Sequence, residues 1–158
     1  MILNAGQERS LGIYYHVAGV IERTKGDYQT ALDYLQKSQE IEDRLIVGYQ
    51  NRVLLDLARV EILIAGQSKG STQSVTPGKW LSKLEKYALD HDLPGIRMQA
   101  AMLKAEFYEN HKQFRDARAI LVDALDITDS RGVTTLKKRI SDQIKEVNGL
   151  MHDEEMAS

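Results

Sequence analysis

Residues 26–41 read GDYQTALDYLQKSQEI and residues 112–127 read KQFRDARAILVDALDI. Both stretches carry the same pattern: a polar turn with an aromatic residue, then a helix with alanine at a fixed place and leucine four residues on. Tyr28 falls against Phe114, Ala31 against Ala117, Leu35 against Leu121 and Ser38 against Ala124. Each follows an amphipathic segment with small residues at matching places, Tyr15 against Ala101 and Gly19 against Ala105. A helix pair of this size cannot bury its apolar face alone, so repeated pairs are expected to stack on one another.

Working outward, apolar residues recur at three- and four-residue steps along nearly the whole chain, which predicts seven helices and no sheet. The first is expected over about 4–23, the second over about 28–44 with its stripe at Tyr28, Ala31, Leu32, Tyr34, Leu35 and Ile41. Gly48 marks a break, and the third covers about 49–65, where Val53, Leu54, Leu57, Ala58, Val60 and Ile64 form one broad face. GQSKGSTQSVT, residues 66–76, reads as a loop. Thr76 is the expected cap of the fourth helix, with Pro77 at its first position, where a missing N–H costs nothing. That helix is expected to reach His91, and Pro94 opens the fifth. The sixth spans about 113–128. The seventh follows Arg131-Gly132 and presents Val133, Leu136, Ile140, Ile144, Val147 and Met151.

The small residues have a packing role. Gly19 and Ala105 let the first helix of a pair approach the second, Ala31 and Ala117 do the same from the other side, and Leu35 and Leu121 fill the space between. These features resemble the tetratricopeptide repeat (TPR). There are departures: neither copy has the closing proline, Glu22 stands at an aromatic position, and Lys104 at a leucine position. From Gly19 to Ala58 is 39 residues and from Ala58 to Ala105 is 47, both beyond the 34 of the standard repeat. Such spacing resembles the divergent repeats in the sensor regions of MalT-like ATPase regulators. The resemblance implies one all-α domain over 1–158: an α-α superhelix, a TPR-like solenoid, with repeats over 4–44, 49–91 and 94–129. A capping helix over 133–151 completes it. Nothing caps the stack before Leu11, an expectation of either a longer protein or a first helix packed on another subunit.

The resemblance also implies that the first helix of each pair lines the concave side. The outward positions there are Ile13, His16, Val20, Arg52, Asp56, Arg59, Gln99, Met102 and Glu106, the expected partner-binding groove. An apolar edge beside Arg52 and Arg59 suits an extended peptide or an amphipathic helix. Family members that grip a chaperone's C-terminal carboxylate use lysines and an asparagine on these helices; His16, Val20, Leu55, Arg59, Met102 and Glu106 stand there instead, which argues against that clamp.

The expected function is therefore a non-catalytic protein-interaction scaffold, a sensor or regulatory part of a larger signalling or transcription-regulating protein. The alternatives are a small-molecule-responsive sensor with its ligand near Tyr14, His16 and Arg52, or a self-association domain. A protein or peptide partner is expected, and a homodimer is admitted. No cofactor, metal or catalytic residue is expected. His16, His91, His111 and His152 are scattered away from metal-ligand spacing, and GQSKGSTQSVTPGK lacks the lysine and the preceding strand of a phosphate-binding loop. With 21 basic and 23 acidic residues the net charge is −2, which argues against direct binding of nucleic acid or anionic membrane. The absence of cysteine excludes thiol chemistry and thiolate zinc sites. MILNAGQERSLG has no signal-peptide pattern, and no apolar run is long enough to span a bilayer, so a cytoplasmic location is expected.

Overall fold

The computed structural model describes residues 2–45, 50–67, 77–131 and 134–158, with the side chains of all of these but 50 and 128–131. Among them are seven helices and no strand: α1 (Ala5–Lys25), α2 (Tyr28–Leu45), α3 (Gln50–Gly66), α4 (Lys79–Asp90), α5 (Pro94–Asn110), α6 (Phe114–Arg131) and α7 (Thr134–Ala157). The expected breaks at Gly48 and Gly132, the start at Tyr49, the cap at Thr76, Val133 and most of the Gly/Ser loop lie outside the described residues.

Local chemistry starts and stops these helices. At α1, the Asn4 side chain accepts from the Gln7 amide (2.9 Å) while the Gln7 side chain accepts from the Asn4 amide (3.0 Å), a reciprocal capping box. Asp27 accepts from both the amide and the hydroxyl of Thr30 at the head of α2. Pro94 takes the first turn of α5. The fourth helix differs from its sequence expectation. Pro77 and Gly78 precede it, and it begins at Lys79 because its first free amides find a partner on another helix: Glu61 of α3 accepts from Trp80 N (3.4 Å) and Leu81 N (3.1 Å). The seventh runs to Ala157, beyond the expected end at Met151, since nothing in the exposed stretch from His152 onward breaks a helix.

Equivalent turns close α1 and α5. Gly26 and Lys112, aligned in the repeat, both adopt left-handed backbone, with φ of 88° and 57°. The amides after each, Asp27 and Gln113, return to the carbonyls of Glu22 and Tyr108. His111, buried behind this turn, donates from Nδ1 to the Phe107 carbonyl (2.8 Å) with its ring against Phe107; His91 does the same to Tyr87 at the end of α4. Lysine pays the steric cost of the left-handed conformation, about 1–2 kcal/mol, which glycine avoids at an entropic loss of about 0.5–1 kcal/mol. Lys112→Gly is therefore expected to stabilise the chain by about 0.5–1 kcal/mol in a urea titration, and Gly26→Lys to destabilise it.

Each helix packs on the next, and the odd-numbered helices also touch in series, α1 on α3, α3 on α5 and α5 on α7; the even-numbered ones do not touch each other among the described residues. The α1–α2 crossing shows what the small residues are for. A Cβ on Gly19 would lie 2.6 Å from Leu35 Cγ and 3.2 Å from the Ala31 carbonyl oxygen, so the helices are as close as backbone allows. Ser38 donates to the Gly12 carbonyl (2.9 Å) at the same interface. In the second copy Ala105, Ala117, Leu121 and Ala124 are all buried at the equivalent places.

Burial divides into two apolar clusters. One gathers Leu35, Leu57, Trp80, Leu81 and Leu84 with Ala100 and Phe107; the other gathers Leu121, Ile140 and Val147 with Met98 and Ala105. Helix α5 is the wall between them, contributing to both, and Tyr108 packs against each.

Candidate binding groove

The odd-numbered helices share one face, and a cavity of about 770 Å³ opens there. Its lining comes from α1 (Arg23), α3 (Leu55, Arg59, Leu63), α5 (Gln99, Met102, Leu103, Glu106, Glu109, Asn110) and α7 (Arg139, Asp142, Gln143, Glu146). No even-numbered helix contributes. This follows from the packing: the even helices stand behind, and the third- and fourth-residue positions of the odd helices that are spared from the core point into the open side.

One wall is organised by Asp56 of α3. This buried carboxylate accepts from Arg23 Nη1 (2.7 Å) and Arg59 Nη1 (3.2 Å) on Oδ1 and from His16 Nε2 (2.7 Å) on Oδ2. A carboxylate oxygen can only accept here, so Nε2 of His16 carries the proton. Burial alone would raise the Asp56 carboxyl, but the hydrogen bond from His16 and the charge of Arg23 together outweigh it and hold the group below the ordinary aspartate range. The result ties α1 to α3 and presents two guanidinium groups at the groove, Arg23 largely shielded and Arg59 about 39% exposed.

The opposite wall is acidic. Gln143 of α7 donates from Nε2 to the Met102 carbonyl (3.2 Å) and to Glu109 Oε1 (3.0 Å), which fixes α7 against α5. Glu106 presents much of its surface to the groove, yet the surrounding walls withdraw enough water to push its carboxyl up, and Glu146 pushes it further. Glu109 is also raised, by burial first, against the Gln143 hydrogen bond, with Glu146 and Glu106 adding repulsion. Between the two walls Leu55, Leu63, Met102 and Leu103 form an apolar floor. The groove therefore offers cations at the α1–α3 side and, at the α5–α7 side, carboxylates that outnumber the single Arg139.

Of the residues expected from sequence, Arg59, Gln99, Met102 and Glu106 line this cavity, and His16 and Asp56 meet in the network beneath its α1–α3 wall. Asp56 is buried, not outward-facing, because three donors on two helices close over it. Val20 is half-buried, and Ile13 and Arg52 are exposed; none of the three lines the cavity. Tyr14 is exposed and also outside the lining of this cavity. The reading from sequence missed Arg23 and the whole contribution of α7. Its signal was present: Arg139, Asp142, Gln143 and Glu146 recur at three- and four-residue steps beside the Ile140, Ile144 and Val147 stripe, and so share a face.

Among the described residues no group of three or more histidine and carboxylate side chains is placed to hold a metal ion, and no helix is long and apolar enough to cross a membrane. Comparison with family models, with curated proteins and with solved structures gives no match.

Proposed function

We propose that this chain is a TPR-like stack of three α-hairpins closed by α7, which binds a peptide segment of a protein partner along the groove of its odd-numbered helices. The observation that carries the reading is the groove itself: every lining residue comes from α1, α3, α5 or α7, with Arg23 and Arg59 on one wall, four carboxylates beside the single Arg139 on the other, and an apolar floor between. The serial contact of odd helices, the glycine and alanine crossings and the paired left-handed turns support a superhelical stack. A scaffold of this kind suits a sensor or regulatory part of a larger protein.

The charge layout specifies the ligand's polarity. An acidic group faces Arg23 and Arg59, an aliphatic side chain rests on Met102 and Leu103, and a lysine or arginine faces Glu106 and Glu146. Peptides selected from a displayed library against the purified chain, then measured by fluorescence anisotropy, test this. Arg59→Gln and the pair Glu106→Gln/Glu146→Gln are each expected to weaken binding about tenfold, equivalent to about 1.4 kcal/mol. The double glutamine variant relieves repulsion between Glu106 and Glu146 already present in the free protein, and Arg59→Gln leaves Asp56 its partners Arg23 and His16, so folding is preserved. Because burial raises the Glu106 and Glu109 carboxyls, they lose their charge at a higher pH than an ordinary glutamate. Affinity for the basic side chain therefore falls as pH drops through that raised range, and the double glutamine variant, which retains only Glu109 of the two, shows a weaker dependence. Selected peptides whose affinity is indifferent to all these substitutions would remove the groove as the binding site.

A further inference from the structure

We propose that α1 is a dimerisation helix, two copies of this chain packing stripe to stripe and antiparallel about a two-fold axis beside Val17. Helix α1 is unusual in what it gives the core: its two buried residues are Gly12 and Gly19, so its closest approach to α2 is made by backbone, with Tyr15 stacked on Tyr34 beside it. Its large apolar residues point the other way. Ile13, Tyr14, Val17 and Ile21 are 55, 59, 53 and 48% exposed. The other exposed large apolar side chains among the described residues, Ile2, Leu89, Val122 and Met156, sit singly, Ile2 before α1 and the rest on three different helices. An apolar row gathered on one helix of a folded chain marks an interaction face.

The spacing states what kind of partner covers it. Ser10, Tyr14, Val17, Ile21 and Thr24 follow one another at steps of four, three, four and three, the repeat by which one helix packs lengthwise on another. The face holds no charged residue. The hydroxyls at its two ends are already satisfied within the helix, Ser10 donating to the Gly6 carbonyl (3.1 Å) and Thr24 to that of Val20 (2.9 Å), so covering them leaves no donor stranded. Of the charged residues on this helix, Glu8 pairs with Arg44, Glu22 with Lys25 and Arg23 with Asp56.

The occupant that fits is a second α1. The opposite end of the stack offers no match, because the exposed side of α7 away from the groove carries Lys137, Lys138 and Lys145. A head-to-tail contact would bury these charges against the apolar row, whereas an isologous contact needs only the row itself. Turned about the axis at Val17, the row is self-complementary: Tyr14 meets Ile21 of the second copy, Val17 meets Val17, and Ser10 meets Thr24. Antiparallel placement also opposes the two helix dipoles, which parallel placement would align.

The chain contains no cysteine, so single thiols report the geometry. Light scattering across a concentration series is expected to give a dimer, and Val17→Cys to form a disulfide-linked dimer under mild oxidation. Ser10→Cys alone stays unlinked, but crosslinks when mixed with Thr24→Cys. Val17→Lys, at a position exposed in the single chain, is expected to keep the helical spectrum while weakening dimerisation at least about 100-fold. A wild-type chain that stays monomeric throughout, a dimer that survives Val17→Lys, or self-linkage at Ser10 would each overturn the proposal.

Discussion

Ala117→Asp is expected to lower stability by about 3 kcal/mol or more, because the new carboxylate is buried without a partner where α6 crosses α5. Ala117 is fully buried in the same apolar cluster as Met98, Ala105, Leu121 and Ala124. Its own amide is already taken by the Gln113 carbonyl (3.1 Å). For a chain of this length such a loss shifts the midpoint of a far-UV circular-dichroism melt by roughly 6–12 °C. Ala119→Asp is the matched control: the same chemical change, two residues on, at an exposed position, expected within about 0.5 kcal/mol of the parent. Equal melting of the two variants would mean that α6 does not present Ala117 to α5.

The second large effect is at Gly19. Placing any side chain in mid-helix there offers a gain of up to about 1 kcal/mol in helix propensity over glycine. The space opposes it: the first added carbon lies 2.6 and 2.9 Å from two atoms of Leu35, itself fully buried and unable to swing clear. Overpacking of this sort costs about 1–3 kcal/mol, and a branched valine, which gains less propensity and adds two more carbons, is expected at the upper end. Gly19→Val should therefore destabilise by about 3 kcal/mol. Leu35→Ala alone costs about 2–5 kcal/mol through the cavity it leaves. Combined with Gly19→Ala, part of that cavity is filled, so the double variant is expected to be more stable than the sum of the singles predicts. Strict additivity in urea melts would contradict direct contact between the two positions.

Much of the architecture was legible in the chain because helices are local objects. Period-3.6 patterning found all seven, Pro94 and Gly26 marked their ends, and glycine and alanine at matching offsets identified the crossing points before any coordinates. What escaped depends on atoms far apart in sequence. The start of α4 moved from Pro77 to Lys79, where Glu61, on a different helix, supplies the carboxylate that its first amides need. Periodicity told which side of α3 is apolar, but not how far that helix is rotated against α1. Asp56, placed outward by pattern, is drawn inside by Arg23 and His16. Rotation also separates Ile13 and Arg52 from the cavity and brings α7 to it. A helix read as a polar-backed cap proves to build an entire wall through Gln143 and Glu146.

The position of α5 has a consequence for how the molecule responds to a load. Because the same seventeen-residue helix is packed from both sides, neither half can loosen without uncovering apolar surface in the other. The chain is thereby one cooperative unit instead of two loosely joined ones. Anything gripping Met102 or Glu106 pulls on a rod clamped at the molecule's midpoint, and the stabilisation it confers spreads to the far termini.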